Sequence, residues 1–223
     1  MIGIPGSPGV LRARGVRLLL ALFMVLSAGM LPALPAHAEP EPCTGVHQGD
    51  ERLGPENLPA ARQRPVGPLL AGYSRTGELS TEDFLDRYWD PGADSWRYPP
   101  QDGFAVGPDG AARKHPQVLR AGTDLDRFGS EFGSFLAPAG DHYAERSLPP
   151  QSLLTREPRF PCGYHEYEVA RDFTAWQGEI APWFAQRGGG QQILLDPEFL
   201  DPGQGQRLNV RWLVAHGYLE PAG

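Results

Sequence analysis

From Val118 to the C-terminus, no apolar run lasts more than a few residues before a glycine, a proline or a charged residue interrupts it, and this punctuation limits the fold more than any other feature. Residues 117–120, 134–137 and 191–195 have the length of strands. The stretch 164–169 alternates, setting Tyr164, Glu166 and Glu168 against His165, Tyr167 and Val169. Residues 173–184 read as a further strand interrupted by Gly178 and Pro182. Only near the end do Val210, Leu213 and Val214 share a helical face, closed by Gly217 as a C-terminal cap. Strands first and a helix last predict a small α+β domain with a mixed or antiparallel β-sheet core and few helices. With 28 glycines and 24 prolines in 223 residues, the remainder is expected to be rich in loops.

Upstream, residues 39–70 are proline-rich, charged and without periodicity, which reads as an extended N-terminal arm. Ser80 and Thr81 then precede Glu82, Asp83, Phe84, Leu85, Tyr88 and Trp89, a short helix whose early acids suit the positive end of the helix dipole and which Asp90-Pro91-Gly92 ends. Trp96, Tyr98, Pro99, Pro100 and Phe104 follow as an aromatic cover on the core. The organisation expected is thus a leader (1–38), an arm with a helical and loop cover (39–117) and a main domain (118–223).

The leader is a secretory signal: Arg12, Arg14 and Arg17, an apolar run from Leu18 to about Leu34, then Ala36-His37-Ala38, the small-x-small pattern of signal peptidase. Pro32 and Pro35 break the run, and no later segment approaches the ~20 apolar residues a membrane span needs. A secreted, extracellular chain free of the membrane is therefore expected. Its net charge of −7 becomes more negative when the leader's arginines are removed, which argues against a nucleic-acid partner. The two cysteines, Cys43 and Cys162, form an even pair in an exported chain and read as a disulfide tying the arm to the core.

Two blocks carry the chemistry. Leu125-Asp126-Arg127-Phe128-Gly129 and Gly188-Gly189-Gly190-Gln191-Gln192 each set a planar polar side chain beside glycine, and together they read as two walls of one pocket. An arginine fork suits a diphosphate, and a glutamine amide suits ribose hydroxyls or a water, so a nucleotide is the natural guest. On the residues alone, Arg127 reads first as a surface pair with Asp124 or Asp126, and the triple glycine as a plain turn rather than backbone amides facing an anion.

These blocks, with Phe135-Leu136-Ala137-Pro138, Arg146-Ser147-Leu148-Pro149-Pro150, Tyr164-His165-Glu166-Tyr167-Glu168-Val169 and the run from Ile180 to Gln192, follow the order found in TNT domains, and residues 118–220 resemble that tuberculosis necrotizing toxin family. The upstream stretch from Tyr88-Trp89 to Phe104 is similar to its secreted, surface-displayed fungal branch. What the resemblance implies is a NAD⁺ glycohydrolase toxin that releases nicotinamide and ADP-ribose, with NAD⁺, or NADP⁺, as substrate and no cofactor. It implies Arg127 as the clamp on the phosphates and Gln192 as the essential glutamine. Arg146 is implied as a second phosphate ligand, and Phe128, His165, Phe135, Trp183 and Gly190 as further substrate-binding residues. Phe135 stands where toxin members carry tyrosine. A homodimer and a cognate immunity protein are the partners the family suggests.

Two other readings stay open from sequence. Glu166, Glu168 or Glu179 could activate an acceptor in an ADP-ribosyl transferase, and a secreted nucleotide-binding protein could have kept the fold and lost the chemistry. The acidic residues Asp196, Glu198 and Asp201 are a candidate structural calcium site, but their spacing matches no calcium loop, and a solvated turn with no metal is expected.

Overall fold

Residues 40–222 are described by the structure, a computed structural model; the expected secretory leader lies outside them. The central element is a seven-stranded antiparallel sheet of β3 (Lys114–Leu119), β4 (Asp124–Phe128), β5 (Phe135–Pro138), β6 (Tyr164–Val169), β7 (Phe173–Glu179), β8 (Gln191–Leu194) and β9 (Leu219–Pro221), in the order β3-β7-β8-β5-β4-β6-β9. A two-stranded ribbon, β1 (Trp89–Asp90) and β2 (Ser95–Trp96), lies upstream. The helices are short: α1 (Val66–Leu69), α2 (Thr81–Tyr88) and α3 (Val210–Ala215). Ser80 caps α2 by accepting from the Asp83 amide, and Asn209 caps α3 by accepting from Trp212. The expected α+β class, with an antiparallel sheet and few helices, is what the chain adopts.

Three hydrophobic clusters hold it together. One face of the sheet contributes Leu125, Leu136, Tyr167, Val169, Phe173, Ala175 and Ile193 to a core that α3 closes with Val210 and Leu213. A second cluster joins the arm to the far ends of β4 and β6, with Val66, Leu69, Phe128, Tyr143 and Tyr164 packed around the Cys43–Cys162 disulfide. The third lies under α2, where Phe84, Tyr88, Trp96 and Phe184 form a mutually tilted aromatic group.

Several expectations are corrected in detail. Within the expected arm, residues 40–70 hold short 3₁₀ turns and bury Cys43, Leu53, Val66 and Leu69, so they are packed as well as extended. The strand expected over 173–184 stops at Glu179, because Ile180 bridges to Phe104 and Pro182 follows. Strands β4 and β9 carry little alternation of their own and were not anticipated; they are strands because β6 supplies a ladder on either side.

Candidate functional site

The site arises where the sheet splits. Between β4 and β5 the register covers only Leu125 with Pro138 and Asp126 with Ala137. Past that point each strand stays with its outer neighbour, Arg127 and Phe128 opposite His165 and Tyr164 of β6, and Phe135 and Leu136 opposite Leu194 and Ile193 of β8. The two strands diverge, and the loop from Gly129 to Ser134 spans the gap. A cavity of about 550 Å³ opens there, within the usual range for small-molecule sites. Consecutive residues of both strands line it, Asp126, Arg127 and Phe128 on one side and Phe135, Leu136 and Ala137 on the other. Side chains alternate between the faces of a strand, and a cavity lying in a split can be lined this way.

Arg127 sits beside the gap. Its Nη1 donates to the Phe135 carbonyl at 2.8 Å, while Nε is buried without a partner. Burial pushes its pKa down, against the opposing pull of Tyr167 and Glu131, but a guanidinium remains charged. A buried donor left unbonded costs about 1–3 kcal/mol and is what an anion-binding site in waiting presents. The guanidinium rests on Gly133: a Cβ there would stand 2.6 Å from Nη2 and 3.0 Å from Nη1. No sequence pattern marks Gly133; only its proximity to Arg127 in the fold does.

Arg146 lines the same cavity, yet most of its donors are committed. Its two terminal nitrogens grip Asp126, Nη2 at 2.9 Å from Oδ2, and Nε and Nη2 donate to the Asp141 carbonyl at 3.0 and 2.7 Å. Asp126 is 0% exposed and also accepts from Tyr164 Oη at 2.8 Å and the Gly140 amide at 3.1 Å. A buried, fully satisfied pair of this kind is a scaffold with its charge cancelled. It also removes the alternative of an Arg127–Asp126 pair, and leaves Arg127 as the cation of the cavity wall with donors to spare.

Gln192 stands on β8, with Ala137 and β5 between it and β4, and reaches the cavity. Its Nε2 donates to the Asp102 carbonyl at 2.8 Å. A carbonyl can only accept, so the amide nitrogen must face Asp102, and Oε1, which accepts no hydrogen bond among the described residues, is left as the available acceptor of a residue that lines the cavity. Asp102 belongs to a loop upstream of the main domain in which Gln101, Asp102 and Gly103 all hold positive φ, at 54°, 54° and 83°. Lys114 Nζ stands 3.9 Å from the Asp102 carboxylate, and the Gly103 carbonyl accepts from Ala181. This loop also brings Tyr98 and Pro99 to the wall. Tyr98, expected in the aromatic cover, is 64% exposed and belongs to the cavity, while Trp96 and Phe104 are buried as expected.

The remaining candidates divide. Phe135, 40% exposed, and Phe128, packed edge-on to Tyr143, both line the cavity. His165 lies in an adjoining compartment, 6% exposed, with its ring 3.9 Å from that of Phe160. Trp183 is not a wall residue: its indole donates to the Arg97 carbonyl at 2.7 Å and its ring packs on Tyr88. Nor do the glycines offer amides to an anion. Gly188, Gly189 and Gly190 donate to the carbonyls of Ala144, Ile180 and Glu145, and Gly190 has no side chain because a Cβ would come within 3.0 Å of the Glu145 carbonyl oxygen. Glu166, Glu168 and Glu179 are exposed and none lines the cavity. Asp196 accepts from the Trp176 indole and the Glu198 amide.

The arrangement can hold a polyanion on Arg127 while a neutral acceptor stands across the split, with Asp126, the one carboxylate buried among the described residues, held by Arg146. The family model described as Tuberculosis necrotizing toxin matches residues 118–222, from the end of β3 through β9. The conidial surface nicotinamide adenine dinucleotide glycohydrolase nadA of Aspergillus fumigatus is 39% identical over 194 residues, covering 83% of this chain and 77% of that protein. Among solved structures, tuberculosis necrotizing toxin complexed with its immunity factor IFT is similar at 21% identity and a TM-score of 0.49, covering 70% of this chain and 83% of that one. Rhs1-CT in complex with its immunity protein RhsI1 is similar at 16% identity and a TM-score of 0.31, covering 49% and 77%. By the family model and the extent of the match to the fungal glycohydrolase, the chain belongs to the tuberculosis necrotizing toxin family.

Proposed function

We propose that this protein is a NAD⁺ glycohydrolase. The observation that carries the reading is the pairing, across one split, of an arginine with an unspent buried donor and a glutamine whose amide nitrogen is already tied down. The relative's activity on nicotinamide adenine dinucleotide supplies the substrate. Arg127 takes the diphosphate, and Gln192 Oε1 accepts from a hydroxyl of the nicotinamide ribose or from the attacking water. The bond between the ribose C1′ and the pyridinium nitrogen breaks with both electrons passing to nitrogen, giving neutral nicotinamide. Water adds to C1′, one proton leaves to solvent, and ADP-ribose results. Because the leaving group departs as a neutral base, no general acid is required. That suits a cavity whose buried carboxylate, Asp126, is neutralised by Arg146.

Secretion belongs to the same reading. The leader pattern, the disulfide and the conidial surface location named for the fungal relative support it. A role between organisms, as a toxin, follows from family membership and export together. The chemistry is tested by incubating the oxidised protein with NAD⁺ and resolving the products by chromatography, with and without an added protein acceptor. Free nicotinamide and free ADP-ribose in equal amounts are expected. ADP-ribose found on the acceptor instead would establish a transferase, and bound but intact NAD⁺ an inactive binding module.

A further inference from the structure

The loop 129–134 that spans the split carries the seat of Arg127: Gly133 lies against the guanidinium, and the Phe135 carbonyl just beyond accepts from Nη1. Gly129, Ser130, Gly133 and Ser134 give this loop little shape of its own. It is fixed from outside. Backbone bonds hold its ends, the Gly129 amide donating to the Gly163 carbonyl at 2.7 Å and the Leu195 amide to the Ser134 carbonyl at 2.9 Å. The first amides of α3 hold its middle, Arg211 donating to the Glu131 carbonyl at 3.0 Å and Val210 to the Gly133 carbonyl at 3.1 Å. One side chain of the loop reaches the sheet itself. Glu131 Oε1 accepts from Tyr167 Oη at 2.7 Å, the one side-chain hydrogen bond between this loop and β6 among the described residues.

Tyr167 is 1% exposed, in the core that α3 closes. A hydroxyl there costs stability unless it finds a partner, and a phenylalanine would fill the same space without one. Burial and the bond to Glu131 push the phenol's pKa upward, so it remains a donor at any ordinary pH. The register sets Arg127 opposite His165, and Tyr167, two residues along β6, shares the face of His165; the tyrosine bond and Arg127 are thus on one side of the sheet. Glu131 is close enough to oppose, with Tyr167, the downward push of burial on the Arg127 pKa, yet it lines neither compartment of the cavity. Resting on the functional reading above, we propose that Glu131 is a positioning residue: held by Tyr167, it fixes the loop that seats Arg127, and so sets the affinity for the substrate's diphosphate without touching it.

Charge and tether predict opposite results. A negative charge beside a phosphate site repels the ligand, so if charge alone counted, Glu131→Ala would lower KM for NAD⁺. With the tether, KM in Glu131→Ala is expected to rise about tenfold and kcat to stay within about twofold, the loss that a hydrogen bond to a charged group supplies. Glu131→Gln, whose amide oxygen still accepts from the phenol, is expected to keep KM within about threefold of wild type. Tyr167→Phe is expected to match Glu131→Ala, and the double variant to cost no more than either. A lowered or unchanged KM in Glu131→Ala, a loss confined to kcat, a glutamine variant as weak as the alanine one, or additive losses in the double variant would overturn the proposal. Should the wild type leave NAD⁺ intact, it is the functional reading that fails. Amide hydrogen exchange then decides the tether: exchange across residues 129–134 is expected to quicken about tenfold in Glu131→Ala and not in Glu131→Gln, and an unchanged rate in Glu131→Ala would overturn it.

Discussion

At the scale of single residues, the site depends on which donors are already spent. The family resemblance implies both Arg127 and Arg146 as phosphate ligands; what separates them is Asp126, buried and hydrogen-bonded to Arg146 but not to Arg127. Arg127→Lys is therefore expected to behave almost as Arg127→Ala, because an ammonium cannot donate from the position of Nε. Gly133→Ala is a finer probe. Its backbone tolerates alanine, but the new methyl must push the Arg127 guanidinium aside. We expect kcat/KM for NAD⁺ to fall about tenfold or more, with a melting temperature within about two degrees of wild type; unchanged kinetics would show that the guanidinium has no fixed place. His165 offers a measurement through pH. Burial holds its pKa below the ordinary value, outweighing the pull of Glu131 and Glu157, with Arg127 and Arg159 adding to the depression. Below about pH 6.5 the unfolded chain then binds the proton that the folded chain refuses, so stability falls on acidification. In His165→Gln the slope of melting temperature against pH between 7 and 5 is expected to be shallower, and an identical slope would contradict the assignment.

Among elements, the loop around Asp102 and the split between β4 and β5 do most to shape the site, and neither was legible in sequence. The strands β6, β7 and β8 and the helices α2 and α3 announce themselves by alternation, caps and spacing. Strand β4 does not: Asp-Leu-Asp-Arg-Phe is a strand because β6 pairs along its whole length. That Arg127 and Gln192 meet was anticipated as two walls of a pocket, since both blocks pair a planar polar group with glycine. That a carbonyl some 90 residues upstream holds the glutamine amide depends on backbone conformations no pattern encodes. Asp102→Pro tests this link, because proline's φ near −65° is incompatible with the observed 54°. The variant is expected to lose kcat to about the extent of Gln192→Ala, and combining the two to cost little more. Asp102→Gly, which keeps the carbonyl and accepts the backbone angle, is expected to retain most activity. Full additivity in the double variant would mean that the loop does not act through Gln192.

At the scale of the molecule, residues 40–117 pack against the domain that the family model covers, and the disulfide fastens the two across 119 residues. Closing a loop of that length is worth about 4–5 kcal/mol in the chain-entropy model, so Cys43→Ser with Cys162→Ser is expected to lower thermal stability by several kcal/mol. Since only Gly163 separates Cys162 from β6, and Gly163 lies in the wall of the compartment beside His165, the reduced protein is also expected to bind NAD⁺ more weakly. Equal stability and equal KM in oxidised and reduced protein would remove the arm from the account. The central claim is that one site, divided between two strands of a split sheet, cleaves NAD⁺. It is tested most directly by the rate of nicotinamide release from NAD⁺ in wild type, Arg127→Ala and Gln192→Ala. Rapid release by the wild type is predicted, with losses of about 100-fold or more in each variant, through KM for Arg127 and through kcat for Gln192. Release that survives both substitutions, or a wild type that releases none, would contradict it.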